Sequence, residues 1–234
     1  MKRHGHLMEQ LCQYGHLYRS FKKAFKGSGH TRESQAFYFA LENRLINLSE
    51  KLAAGTYYPG PYRYFYIHEP KKRKISVASF EDRVVHHAVV GLLEPIYEAC
   101  FIYDSYATRK GKGTQAAVRR AQYFLRHKPW FFKADIKQYF AHIDHQILMT
   151  LIQRKVKDGA FLNLVERLIS NGGIHGKGLP IGNLTSQFFA NVYLNHLDYY
   201  VKQTLKSTAY VRYMDDFVLF YQDKLQFISS YYHD

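Results

Sequence analysis

The chain has 234 residues, 47% hydrophobic and 22% charged, which fits one large domain or two lobes sharing a core and excludes a disordered chain. Its 33 Lys and Arg against 19 Asp and Glu leave a formal net charge of +14. That excess, spread along the whole length, points to a polyanion such as nucleic acid rather than to a membrane surface. Cys12 and Cys100, far apart, exclude a disulfide framework and a cysteine zinc site and fit a reducing, cytoplasmic setting. No apolar run approaches the roughly 20 residues of a membrane span.

Residues 1–30 read as basic and partly helical, and Met1 to His6 lacks the apolar core of a secretory leader. His4, His6, His16 and His30 have no ligand spacing and read as surface histidines. Tyr18 to Lys26 alternates aromatics with cations and stops at Gly27-Ser28-Gly29; such rings either stack on bases or fill a core. Ser34 is placed to cap a helix through Ala54, with Phe37, Leu41, Leu45, Leu48 and Leu52 at three- and four-residue steps and Gly55 as its stop. A strand from Tyr62 to Ile67, a basic turn from Glu69 to Lys74 and a returning strand from Ile75 to Ala78 form a predicted hairpin. An amphipathic helix is expected from Glu81 to Ile96, and a polar loop from Asp104 to Gly113 carries Arg109, Lys110 and Lys112.

A helix is predicted from Thr114 to His127, and an apolar strand from Trp130 to Ile136 carries Asp135 near its end. Helices follow near 145–156 and 160–170. Gly172-Gly173 and Gly176-Lys177-Gly178 mark a loop before a long helix from Leu184 to Leu205, and a hairpin closes the pattern from Ala209 to Leu219. No internal repeat or low-complexity segment interrupts it.

The chemistry concentrates at three places. Tyr213-Met214-Asp215-Asp216 lies between the apolar runs Ala209-Tyr210-Val211 and Phe217-Val218-Leu219-Phe220. Adjacent carboxylates at a hairpin turn repel each other and cannot be buried without a counter-charge, so a divalent cation is the simplest partner. Asp135 stands 80 residues before Asp215 and reaches the same sheet edge if the strands are neighbours. Three such oxygens suit Mg²⁺, which keeps waters and takes substrate phosphate oxygens as further ligands. In the loop Gly178 to Gln187, backbone near Gly182 can approach a ligand closely, and Gln187 and Asn191 share a helix face.

In their order, these motifs resemble the reverse transcriptases over the stretch from Tyr18 to Leu219, and most specifically the bacterial enzymes of diversity-generating retroelements. Leu179-Pro180-Ile181-Gly182-Asn183-Leu184-Thr185-Ser186-Gln187 and Phe188-Phe189-Ala190-Asn191 look like that group's loop and helix, and Tyr213-Met214-Asp215-Asp216 like the family's catalytic box. Asp82 to Ala88 and Tyr103 to Gly113 are similar to stretches shared with retron and group II intron enzymes. The resemblance implies an α+β fold with right-hand polymerase fingers in 1–128 and an antiparallel palm sheet with packed helices in 129–234.

It also implies RNA-directed DNA synthesis, with an RNA template, a DNA or RNA primer and deoxynucleoside triphosphates as partners, and a small accessory protein. Asp135, Asp215 and Asp216, with the Ile136 carbonyl, would hold two Mg²⁺ ions, with Mn²⁺ as a substitute. Arg73, helped by Lys71, would clamp the triphosphate. Phe140 would crowd the sugar 2′ position, Pro180, Ile181 and Gly182 would border the nucleotide, and Gln187 would face the template. A bacterial or phage-encoded cytoplasmic enzyme is expected.

Two departures from the family pattern carry expectations of their own. Retroviral relatives have Gln where Ile181 stands; loss of its hydrogen bond, worth about 0.5–1.5 kcal/mol, implies a less accurate polymerase. Only 18 residues follow Asp216, too few for a thumb, so the thumb is expected to be missing. The alternatives are a retron, group II intron or phage-defence reverse transcriptase, or a truncated, non-catalytic RNA-binding remnant.

Overall fold

The structure, a computed structural model, describes residues 3–68 and 72–224. In chain order its elements are α1 (Leu7–Cys12), α2 (Tyr14–Lys26), α3 (Arg32–Phe39), α4 (Leu41–Ala53), β1 (Arg63–Ile67), β2 (Arg73–Val77) and α5 (Phe80–Glu98). Then come α6 (Thr114–His127), β3 (Trp130–Asp135), α7 (Tyr139–His142), α8 (His145–Gln153), α9 (Gly159–Ser170), α10 (Leu184–Tyr199), β4 (Tyr210–Tyr213) and β5 (Asp216–Tyr221). A π-helical turn over Tyr200–Thr204 follows α10, where the Leu205 N–H reaches the Tyr200 carbonyl.

These elements gather into two compact units, each made of two separated segments: Met1–Tyr97 with Phe140–Phe189, and Glu98–Tyr139 with Ala190–Asp234. The chain passes from the first to the second at the end of α5, returns at the start of α7 and passes again within α10.

The first unit is mostly helical. Leu11, Leu17, Leu45, Leu48, Val84, Val89, Leu93, Phe161 and Val165 are buried in it, and Phe21, Phe37 and Phe80 pack ring to ring at 5.2–6.0 Å. Asp82, also buried, fixes the loop before β1: it accepts from the Tyr57 hydroxyl at 2.5 Å and the Gly60 N–H at 3.1 Å. Three details differ from the sequence expectation. The helix expected from Ser34 to Ala54 is two helices, broken at Ala40 (φ −114°, ψ 29°), although the apolar spacing runs through the break. Thr31 caps α3 by accepting from the Ser34 N–H, while Ser34 itself is buried and donates to the Ser28 carbonyl. His16 is half-buried rather than on the surface, with its Nε2 2.9 Å from the Ala88 carbonyl, and burial holds its pKa below the usual value.

The second unit is built on an antiparallel sheet in the order β3-β5-β4. Successive side chains alternate faces, and paired residues share one. Val211 and Phe220 therefore join Phe124 and Ala117 of α6 in one cluster, while Tyr210 and Leu219 join Val201 in another. Asp135 and Asp216, paired in register, stand on the α6 face at the end of the sheet. Arg212 belongs to the other face.

Candidate active site

Asp216 opens β5 and lies opposite both Asp135 of β3 and Tyr213 of β4. Met214 and Asp215 form the two-residue turn between β4 and β5. Met214 takes a left-handed backbone, φ +56°, which non-glycine residues adopt at a cost of about 1–2 kcal/mol. The Ile136 N–H donates to the Asp215 carbonyl at 3.3 Å, fastening the turn to the end of β3. Asp135 and Asp216 are exposed and Asp215 is half-buried. Like charges directly opposite across a sheet are unfavourable. Lys133 approaches Asp216 only to 4.0 Å, with both side chains more than half exposed, so it offsets little of that repulsion.

Among the described residues no group of three or more His, Cys, Asp or Glu side chains is gathered closely enough to hold a metal ion by itself. What the chain offers instead is an open set of anionic oxygens at a sheet end. That donor set fits a hard cation such as Mg²⁺, which takes one or two protein carboxylates and completes its shell with water and phosphate.

Sequence reasoning missed the buried polar network behind this turn. Arg212 is fully buried, as is Asp198 on α10. The guanidinium donates to both Asp198 oxygens, at 2.7 and 2.6 Å, and the Tyr210 hydroxyl donates to the same carboxylate at 2.9 Å. Burial works against the Arg212 charge, but the hydrogen bonds and charge of Asp198 outweigh it and push its pKa up. Burial, with Asp198 adding to it, pushes the Tyr210 phenol up too, so it stays protonated. The available signal was a lone Asp in the apolar end of α10 and a lone Arg in an apolar strand, charges that need each other if both are inside.

The glycine loop lies in the first unit. Leu179 N–H donates to the Phe140 carbonyl and Gly178 N–H to the Ile143 carbonyl, both at 2.8 Å. The Ile181 carbonyl accepts from the Ser76 N–H of β2 at 2.8 Å, and the Asn183 amide donates to the Ser76 carbonyl at 3.3 Å. Gly182 takes φ +112°, and a Cβ there would stand 2.7 Å from Ile75 Cγ2. Only glycine lets the loop lie this close to β2. Pro180 is buried, Ile181 is at the surface and Gln187 is half-buried on the first turns of α10.

Gly182, Asn183 and Gln187 line a cleft of about 470 Å³ together with Arg83, His86 and His87 of α5. Burial brings His86 down to about 4, opposed by Asp82 and reinforced by His87 and Arg83. Burial and then Lys23 and Arg83 bring His87 to about 4 as well. Both imidazoles are therefore neutral near pH 7.

Arg73 is the first residue of β2, opposite Ile67 and exposed. The hairpin around it presents Tyr64 and Tyr66 to solvent beneath Lys74 and Lys72, at 3.7 and 4.9 Å from the ring centres. Lys71 lies outside the described residues. Phe140 is half-buried on α7, and its carbonyl accepts from the loop's Leu179 N–H. Within the second unit, then, the structure joins Asp135, Asp216, the Asp215 turn and the Ile136 backbone. Within the first it joins Ile181 and Gly182 to the strand that starts at Arg73, with Gln187 lining the same cleft and Pro180 next in the chain. Among the described residues no helix is long and apolar enough to cross a membrane.

The family model described as reverse transcriptase (RNA-dependent DNA polymerase) matches residues 67–232. The group II intron-encoded protein LtrA of Lactococcus lactis subsp. cremoris is 32% identical over 172 residues, 69% of this chain and 29% of LtrA. Protein YkfC of Escherichia coli K12 is 27% identical over 217 residues, 74% of this chain and 57% of YkfC. The chain thus spans under a third of one relative and just over half of the other. Among solved structures, a chain of a partial Cas6-RT-Cas1–Cas2 complex superposes with a TM-score of 0.57 at 17% identity, covering 93% of this chain and 38% of that one. The likeness is one of fold.

Proposed function

We propose that this chain, which belongs to the reverse transcriptase (RNA-dependent DNA polymerase) family, adds deoxynucleotides to a primer 3′ end on an RNA template. The observation that carries the reading is the pairing of Asp135 with Asp216 beside the Asp215 turn, a cluster of negative charge that folding alone does not require. Asp135, Asp215, Asp216 and the Ile136 carbonyl would hold two Mg²⁺ ions. Bound there, Mg²⁺ supplies charge stabilisation for both the attacking and the leaving oxygen of an in-line phosphoryl displacement. Arg73, exposed on β2, would meet the triphosphate, with Lys71 as its helper. Phe140 would exclude a ribose 2′-hydroxyl, Pro180, Ile181 and Gly182 would border the nucleotide, and Gln187 would face the template. The fingers would fall in 1–128 and the palm in 129–234.

As to subtype, Ile181 supports an error-prone enzyme of a diversity-generating retroelement working with a small accessory protein. The match to LtrA favours a second reading, an intron-type enzyme. Primer extension with an RNA template and Mg²⁺ tests the activity. The wild-type chain should extend and Asp215→Ala should lose roughly three or more decades of rate. Equal extension by both would remove the site, and no extension by either would favour an RNA-binding remnant.

A further inference from the structure

We propose that Arg212 is a positioning residue that aims the acidic turn from the back of the sheet. The proposal rests on the polymerase reading for its consequence, and on the second unit alone for its geometry.

Each of the five N–H groups of Arg212 has one acceptor. Nε and Nη2 go to Asp198, Nη2 also to Ser105 Oγ at 3.1 Å, and Nη1 to Asn191 Oδ1 at 3.0 Å. The remaining N–H, again on Nη1, donates to the Met214 carbonyl at 3.0 Å. A guanidinium is a rigid fork, so fixing four of its N–H groups fixes the aim of the last. The Asp198 pair is therefore a mount, and the bond to Met214 is what the mount directs.

Its target matters because the Met214 carbonyl sets the peptide plane that leads into Asp215. Met214 is also the left-handed residue of the turn, φ +56°, in a conformation its own side chain disfavours. One residue on, the Asp215 carbonyl is held from β3 by the Ile136 N–H. The turn is thus gripped on both of its carbonyls, one by Arg212 and one by the strand that carries Asp135. The mount is stiff in turn. The Arg212 backbone accepts from the Tyr106 N–H and donates to the Asp104 carbonyl, both at 2.9 Å, and the Asn191 amide donates to the Ala107 carbonyl at 2.8 Å. An apolar group of similar volume would fill the same space without any bond to the turn. Such supporting groups orient the ligands of a metal site, and their loss typically costs about 10- to 100-fold in metal affinity or activity.

Arg212→Lys keeps a positive charge against Asp198 but has no fork with which to serve Met214 at the same time. Asn191→Ala removes the partner that steadies Nη1. The full-length wild-type chain and both variants are compared by unfolding midpoint, by amide exchange of residues 213–216 against 217–221, and by the Mg²⁺ concentration that half-activates nucleotide addition. Arg212→Lys should exchange faster at 213–216 with 217–221 still protected, and its half-activating Mg²⁺ should rise about 10-fold or more. Its KM for the nucleotide should stay at the wild-type value. Asn191→Ala should move both readouts the same way by less.

A folded Arg212→Lys with wild-type exchange and Mg²⁺ dependence would overturn the proposal. So would a loss shared equally by both peptides, which marks a merely structural role. If Arg212→Lys does not fold, Asn191→Ala decides by the same two readouts. A wild-type chain without Mg²⁺-dependent addition would instead sink the polymerase reading, while amide exchange still decides whether Arg212 holds the turn.

Discussion

Around the glycine loop of the first unit, burial keeps two histidines neutral, holding His86 and His87 at about 4, and the loop meets β2 largely through its backbone. In the second unit charge is kept and arranged. Arg212 keeps its charge inside, paired with the buried Asp198, and Asp135 and Asp216 face each other at the surface. The first region depends on shape, the second on electrostatics. Substitutions that alter charge should therefore act on chemistry in the second unit and on stability in the first. Substitutions that alter shape in the first unit should likewise act on stability.

The largest expected effect is at Asp135. Asp135→Ala removes one of two opposed carboxylates, so the folded protein should gain slightly in thermal stability while primer extension falls by roughly three or more decades. A loss of stability with near-normal extension would invert the comparison.

Next comes the pH dependence of stability in the first unit. His86 is neutral when folded and has an ordinary pKa near 6.5 when unfolded, so below that value the unfolded chain binds a proton that the folded chain refuses. Stability is complete above about 6.5 and falls as the pH drops towards about 4, by about 3 kcal/mol for this one group. Urea unfolding at stepped pH should show a slope to which His87 also contributes, and His86→Gln should reduce it. An unchanged slope in the variant would mean that the imidazole is not the group being titrated.

Gly182→Ala tests shape directly. The added Cβ meets Ile75 Cγ2 at 2.7 Å and the Ser76 carbonyl at 3.1 Å, in a backbone region unsuited to side chains. A loss of about 1–3 kcal/mol is expected, seen as a lower unfolding midpoint. Wild-type stability would mean that the loop does not need its close approach to β2.

Local features were legible in the sequence. The helix Thr114–His127 and the strand ending on Asp135 follow from apolar spacing and from Pro129 between them. The acids at the turn stood out because like charges in an apolar hairpin need an outside partner. The rest depends on distant residues. Apart from the Met214 carbonyl, the partners of the Arg212 side chain lie 14, 21 and 107 positions away, so the lone Arg in β4 hints at burial without naming what satisfies it. The break at Ala40 leaves the apolar period unchanged and has no sequence mark. Each compact unit takes two separated segments, an interleaving that no local pattern encodes.

The smallest predicted effect concerns Ile181, where the two kinds of region make different demands on one residue. Its backbone carbonyl holds Ser76, while its side chain reaches the surface. Ile181→Gln keeps the backbone bond and adds an amide able to hydrogen-bond a neighbouring nucleotide, so stability should not move. If the loop borders the incoming nucleotide, a bond made only to the correct one is worth about 0.5–1.5 kcal/mol, and misincorporation should fall roughly 2- to 12-fold. Sequencing of extension products from both proteins measures it. Equal error spectra would leave the loop a purely structural element and remove the main support for an error-prone subtype; a change in unfolding midpoint without a change in errors would show that the side chain is packed, not poised.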